Sequence, residues 1–183
     1  MKRHLLAVAC ALVAGTAFAA NPTASLNRSF TEYTGAGPIG NNNINNDNNV
    51  YWFYESTGTY SGQSVYSWFV FWDPKKSSDA KGTITFADSI LFVHDEQTEL
   101  QNTAAFGKPG VTYDYSNSLV GLEAADRSDT SFSGNTLTLK WTASNPGDHI
   151  RVMTAVPEPS AYALSGAALL VVMGFVGRRR RAG

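Results

Sequence analysis

The stretch that decides the fold of this chain is residues 65–72, which read Val-Tyr-Ser-Trp-Phe-Val-Phe-Trp. Aromatic and β-branched residues at this density favour a strand, because their side chains fit a pleated surface. With a period of two, the apolar side chains divide between both faces of the strand: Tyr66, Trp68, Val70 and Trp72 on one, Val65, Phe69 and Phe71 on the other. The sequence therefore predicts a strand that is buried on both faces, in a central position.

Similar short strands are predicted along most of the chain. They cover residues 50–54, 83–86, 90–93, 111–115, 130–133, 136–142 and 148–154. Gly58 and Gly62 supply the turn before residue 65, and Gly134-Asn135 suits a type II′ hairpin that places Leu137, Leu139 and Trp141 on one face. One helical turn is predicted around residues 96–103. Seven or eight strands predict an all-β domain over residues 50–155, an antiparallel β-sandwich or a jelly-roll-like fold.

Residues 20–49 differ in character from the strand-rich part. They are polar and rich in turn formers, and they end in an asparagine tract over residues 41–49. Asparagine favours turns and tolerates left-handed backbone. The segment is therefore predicted to be a polar, Asn-rich arm or loop.

Composition and charge limit the classes of function. A hydrophobic fraction of 43% with 16% charged residues is typical of a chain that can bury a core. Basic residues cluster at the ends, at Lys2, Arg3 and 178–181, so the middle is acidic despite a net charge of -1. An acidic domain is a poor partner for phosphates, and nucleic acid is not expected as a ligand. Cys10 lies in the N-terminal segment, which leaves the domain without a disulfide or thiolate site.

The N-terminal segment has the three parts of a secretory signal peptide. Lys2 and Arg3 precede an apolar run over residues 5–13, and small residues lead to Ala17-Phe18-Ala19. The prediction is a signal helix over residues 1–19 that is cleaved between Ala19 and Ala20. The Sec translocon and signal peptidase are then expected as partners.

The C-terminal segment, residues 156–183, reads as a membrane signal. Val156, Pro157, Glu158, Pro159 and Ser160 precede an uncharged run, which is followed by four arginines: Arg178, Arg179, Arg180 and Arg181. A helix over residues 161–177 would be slightly short for a ~30 Å hydrocarbon core but can span it if the bilayer thins. The basic tail at 178–183 would hold the C-terminus in the cytoplasm, with the β-domain outside. Membrane lipid is therefore an expected partner.

The order of Pro-Glu-Pro, apolar run and arginine cluster resembles the PEP-CTERM sorting signal of Gram-negative bacteria. The resemblance implies that exosortase, a membrane transpeptidase, recognises and removes the tail, in species that make extracellular polysaccharide. It also implies export, a transient inner-membrane anchor with the ectodomain in the periplasm, and a final place at the cell surface or outside. An unprocessed single-span anchor fits the same pattern, whereas a glycolipid-anchor signal would not normally close on four arginines.

The sequence offers few candidates for chemistry in the ectodomain. It contains none of the common nucleophile, zinc or nucleotide motifs, and no enzyme activity is expected. A carbohydrate-active hydrolase with paired carboxylates is the alternative, since such acids can come from any strands.

Two series of acidic residues are candidate calcium ligands. The alternative for each series is a solvated loop without a metal. The first is Asp95, Glu96 and Glu99 beside His94. The second is Glu123, Asp126 and Asp129, which Asp88 or Asp148 would join from elsewhere in the chain.

The aromatic residues suggest a binding role. Trp68 and Trp72 would stack on sugar rings if they are exposed, or belong to the core if they are not. The sequence as a whole predicts an exported cell-surface or extracellular-matrix protein with a structural or glycan-binding ectodomain, and polysaccharide is its expected ligand.

Overall fold

The structure, a computed structural model, describes residues 19–144 and 146–157. Within them nine strands form two sheets. The first sheet has the order β1 (Thr23–Leu26), β5 (Ser78–Thr85), β8 (Thr136–Ala143) and β7 (Ser131–Ser133). The second has the order β2 (Ser29–Glu32), β3 (Asn49–Tyr60), β4 (Gln63–Trp72), β9 (Asp148–Ala155) and β6 (Ile90–His94). The predicted all-β, two-sheet class is therefore confirmed.

The pairing is antiparallel except at one edge. Strand β2 pairs with β3 in parallel, with Ser29 opposite Asn49. The expectation of a purely antiparallel sandwich is wrong at this edge. A parallel neighbour needs a long connection, and residues 33–48 provide it.

The two sheets face each other across one apolar cluster, here called the sandwich core. Sheet one contributes Ala80, Ile84, Leu137, Leu139, Trp141 and Ala143, and sheet two contributes Val50, Trp52, Tyr66, Trp68, Val70, Trp72, Ile150 and Val152. The alternation in β8 is strict, as predicted, with Leu137, Leu139 and Trp141 all buried. This face of the second sheet therefore needs no other covering.

The opposite face of the second sheet is also buried, as the two-faced pattern of β4 predicts. A layer of irregular chain, residues 33–47 and 97–117, lies over it and is here called the cover layer. It includes α1 (Gln97–Asn102) and a 3₁₀ turn (Ala104–Phe106). Ile39 and Leu100 from this layer pack against Phe53, Phe69 and Phe71 of the sheet. A sandwich face that would otherwise meet water thus becomes a second core.

A buried ion pair lies on the covered face of the second sheet. Glu55 is the extra residue of a β-bulge in β3, and the bulge lets its carboxylate meet the Arg151 guanidinium of β9. The pair is bidentate, with Nε to Oε2 at 2.6 Å and Nη2 to Oε1 at 2.8 Å. Arg151 also donates to the Leu100 carbonyl at 2.9 Å, and Tyr113 donates to Glu55 at 2.8 Å. The pair therefore ties β3, β9 and the cover layer together.

The segment 20–49 is more ordered than an arm. Besides β1 and β2 it contains the asparagine tract, whose loop is fixed by its own side chains. Asn41, Asn42 and Asn45 have positive φ angles of 49°, 62° and 55°, the left-handed conformation that asparagine tolerates. The Asp73 carboxylate accepts a bond from the Ile44 amide at 2.8 Å. The tract is a loop, as predicted, but one that is bonded to the domain.

Other local predictions have mixed outcomes. The helical turn near residues 96–103 is confirmed as α1, and Gly134 has the positive φ that the first position of a type II′ turn requires. The strand predicted at 111–115 is wrong, because only Tyr113 makes an isolated bridge, with Ile39. A short helix, α2 (Ala124–Ser128), was not predicted. Its signal in the sequence is weak, an acidic residue followed by two alanines.

We predict that Glu55→Gln lowers the free energy of unfolding by about 3–5 kcal/mol, because it leaves the buried Arg151 charge without a counter-charge. Urea denaturation of the variant and the parent measures the difference. The matched control is Lys140→Ala, which removes the exposed ion pair between Lys140 and Asp129 and should leave the denaturation midpoint nearly unchanged. Equal midpoints for Glu55→Gln and the parent would show that the pair contributes little.

Candidate functional site

Three carboxyl groups meet where α2 closes one end of the sandwich. Asp148 is the first residue of β9 and pairs with Trp72, the last residue of β4. Asp126 belongs to α2, and Glu123 is the residue directly before that helix. The Oδ1 atom of Asp126 accepts a hydrogen bond from the Thr142 amide of β8 at 3.0 Å, which holds the helix against the first sheet. The group is here called the carboxylate cluster.

The cluster is compact and mostly buried. One oxygen from each carboxyl group lies within 4.8 Å of the others. Asp148 is 1% exposed and Asp126 is 6% exposed, while Glu123 reaches the surface. The Oδ2 atom of Asp148 is buried and has no hydrogen-bond partner among residues 19–144 and 146–157. A buried carboxyl oxygen without a donor is uncommon and calls for an explanation.

The electrostatics of the cluster are unfavourable without a counter-charge. Burial, then the charges of Asp126 and Glu123, and a side-chain hydrogen bond with Glu123 raise the pKa of Asp148 to about 9. Burial also raises the pKa of Asp126, although the Thr142 amide opposes that shift. In the part of the chain that the structure describes, no lysine or arginine forms an ion pair with a member of the cluster.

Two basic side chains beside the cluster form ion pairs with other acidic residues. Arg127, the neighbour of Asp126 in α2, is paired with Asp95 and Glu96, at 3.0 Å in each case. Lys140 is paired with Asp129 at 2.7 Å. Neither of these two cations is therefore free to balance the charge of the cluster.

The first predicted calcium series has other partners in the structure. Asp95 and Glu96 share the Arg127 guanidinium, and Glu99 accepts the Asp95 backbone amide at 3.1 Å as a cap of α1. The nearby His94 imidazole is buried, which lowers its pKa. These three acids thus stabilise the start of α1 and its link to α2, and they do not converge on one point.

The second acidic series is divided by the structure. Glu123 and Asp126 join Asp148, one of the two distant residues that the sequence offered, while Asp129 turns to Lys140 instead. The sequence could not choose between Asp88 and Asp148, because the choice depends on which loop lies beside α2.

The two tryptophans predicted as ligand-binding candidates are core residues. Trp68 is 2% exposed and Trp72 is fully buried. They lie on the face of β4 that meets the first sheet, and the Trp68 ring packs 5.9 Å from Phe86. The structure therefore corrects this interpretation, since a buried ring has no face to offer a sugar.

The sorting segment begins where the last strand ends. Strand β9 runs between β4 and β6 and ends at Ala155, and the Val156 amide then donates to the Ser64 carbonyl at 3.1 Å. Val156 packs against the sandwich core, and Pro157 is exposed. Glu158, Pro159, Ser160, the span at 161–177 and Arg178 to Arg181 lie outside the described residues.

At the other end, Ala19 and Ala20 are described and β1 begins at Thr23, while Ala17 and the rest of the predicted signal helix lie outside the described residues. None of the helices within residues 19–157 that the structure describes is long and apolar enough to cross a membrane.

The comparison with protein families identifies the C-terminal segment. Residues 155–181 match the family model of the PEP-CTERM protein-sorting motif. The chain therefore carries this motif, an exosortase recognition signal that implies export to the cell envelope or surface. No curated protein and no solved structure was found to match the chain.

We predict that acrylamide quenches the tryptophan fluorescence of the native protein only weakly, because all four tryptophans, Trp52, Trp68, Trp72 and Trp141, are buried. Stern–Volmer titrations of the native and the urea-unfolded protein measure this, and the unfolded chain should be quenched several-fold more. Native quenching as strong as that of free tryptophan amide would show that at least one ring is exposed.

Proposed function

We propose that this chain, which carries a PEP-CTERM sorting motif, is a surface or extracellular-matrix protein whose β-sandwich is delivered outside the cell and then separated from its C-terminal tail by exosortase. The N-terminal signal peptide would start export through the Sec translocon, and signal peptidase would cut after Ala19. The apolar run at 161–177 would hold the protein in the inner membrane, in contact with lipid, until processing. The mature domain would then remain at the surface or in extracellular polysaccharide.

The observation that carries this proposal is the direct connection between the fold and the motif. The matched region begins at residue 155, which is also the last residue of β9. Because β9 lies inside the second sheet and β4 pairs with it through Ala155, the domain is complete before Pro157. Cutting beyond Pro157 would therefore leave all nine described strands together on the released side.

A non-enzymatic role for the domain is supported by the state of its histidines. His149 stacks on Phe71 at 5.8 Å and is 1% exposed, and burial lowers its pKa to about 4. His94 is also buried, beneath the rings of Tyr60 and Phe92. A general base must come within hydrogen-bond distance of its substrate, and neither imidazole is placed for that.

The alternative, a carbohydrate-active hydrolase, would use two carboxyl groups on either side of a glycosidic bond. The raised pKa of Asp148 is a property of many general acids. Its burial beneath α2 argues against that role, because a sugar could not reach the carboxyl group. A structural role is therefore favoured, and any glycan would bind through groups other than Trp68 and Trp72.

We predict that replacing Pro157, Glu158 and Pro159 with alanine blocks removal of the tail. An alanine tripeptide lacks the extended, proline-stiffened backbone that a processing enzyme can grip. In a host that produces exosortase, the variant should stay in the membrane fraction at the mass of a chain that retains Arg181, while the parent should be shorter. Intact-protein mass spectrometry of both fractions measures the result.

The matched control is Pro109→Ala, which changes an exposed proline of the cover layer and should be processed like the parent. The same comparison in a host without exosortase should leave every variant unprocessed. If the parent also retains Arg181 in the exosortase host, the chain is a single-span anchor that is not processed, and the proposal is wrong.

A further inference from the structure

We propose that the carboxylate cluster of Glu123, Asp126 and Asp148 binds a hard divalent cation, with calcium as the expected ion. The site does not depend on the sorting proposal, because it is built only from residues of the β-domain.

The spacing of the cluster suits one ion. Calcium binds oxygen ligands at about 2.3–2.6 Å, so two oxygens on the same ion can lie no more than about 5 Å apart. The three carboxyl oxygens meet this limit, since they lie within 4.8 Å of one another. The three groups come from two separate parts of the chain, and the packing of α2 against β8 and β9 brings them together.

The unpartnered oxygen of Asp148 is an independent reason to expect a ligand. Taking a carboxyl group out of water costs free energy unless hydrogen bonds or an opposite charge replace the water. The Asp148 side chain is almost fully buried in the cluster, and no donor among residues 19–144 and 146–157 satisfies its Oδ2 atom. A cation bound by all three groups would supply the missing interaction and would remove their mutual repulsion.

The donor set indicates which kind of ion fits. All three side chains offer carboxylate oxygen, and neither an imidazole nor a thiolate belongs to the cluster. Oxygen-only sites prefer calcium, magnesium or manganese over zinc or copper. Glu123 also lines an open depression of about 190 Å³, so the outermost member of the cluster faces solvent.

A bound ion would join the two sheets at one end of the sandwich. Asp126 is held to β8 of the first sheet through the Thr142 amide, and Asp148 belongs to β9 of the second. The mature domain has no cysteine, so a metal bridge would do what a disulfide does in many exported domains. Calcium binding should therefore be visible as added thermal stability.

The experiment is a thermal unfolding series on the full-length chain in mild detergent, with EGTA or with 10 mM calcium at constant ionic strength. A site with a dissociation constant of about 10⁻³ M, as in extracellular calcium modules, should raise the melting temperature by about 3 °C or more. Asp148→Asn and Glu123→Gln should abolish the shift. Asp129→Asn, at the residue directly after α2 but outside the cluster, should keep it.

Terbium luminescence provides a second readout that does not depend on stability. Trp72 is the strand partner of Asp148, so terbium in the cluster should be excited through tryptophan, and calcium should displace it. If Asp148→Asn does not fold, the test rests on Glu123→Gln. The Glu123 side chain is exposed, so this substitution should not disturb the core. The proposal is overturned if calcium gives the parent no shift and no displacement of terbium, or if both cluster variants respond to calcium as the parent does.

Discussion

The structure depends on one constraint, that strand β4 is apolar on both of its faces. In a simple two-sheet sandwich every strand has one face toward water, and that would expose one row of the large aromatic side chains of β4. The first sheet covers Trp68 and Trp72, and the cover layer covers Phe69 and Phe71. The irregular parts of the chain, including the asparagine loop and α1, are therefore held in place by the need to bury this second face.

Two groups of buried charges show opposite solutions to the same physical problem. Glu55 and Arg151 are fully buried, and each makes several hydrogen bonds, so the pair satisfies itself within the protein. The carboxylate cluster brings three acidic groups together, and no donor in the described part of the chain reaches the Oδ2 atom of Asp148. The contrast between the two groups is the reason that the cluster, and not the ion pair, is proposed as a cation site.

Delivery and folding are encoded in different ways along the chain. The sorting motif is a linear signal, and the family comparison recognises it directly. The domain in front of it depends on contacts between distant residues. The two meet at Ala155, where an interior strand of the sheet ends and the motif begins.

The sequence by itself determined the features that depend on neighbouring residues. Aromatic and β-branched density identified β4, alternation identified β8, and the Gly134-Asn135 pair identified a hairpin. The Pro-Glu-Pro order with its apolar run and arginines identified the sorting motif. The tertiary structure alone decided which aromatic residues are buried, that β2 pairs in parallel, and that residues 111–115 join a layer instead of a sheet. It also decided that Asp148, and not Asp88 or Asp129, meets Glu123 and Asp126. The physical reason is that burial, strand partners and charge clusters are set by long-range packing, whereas turns and sorting signals are set by the local chain.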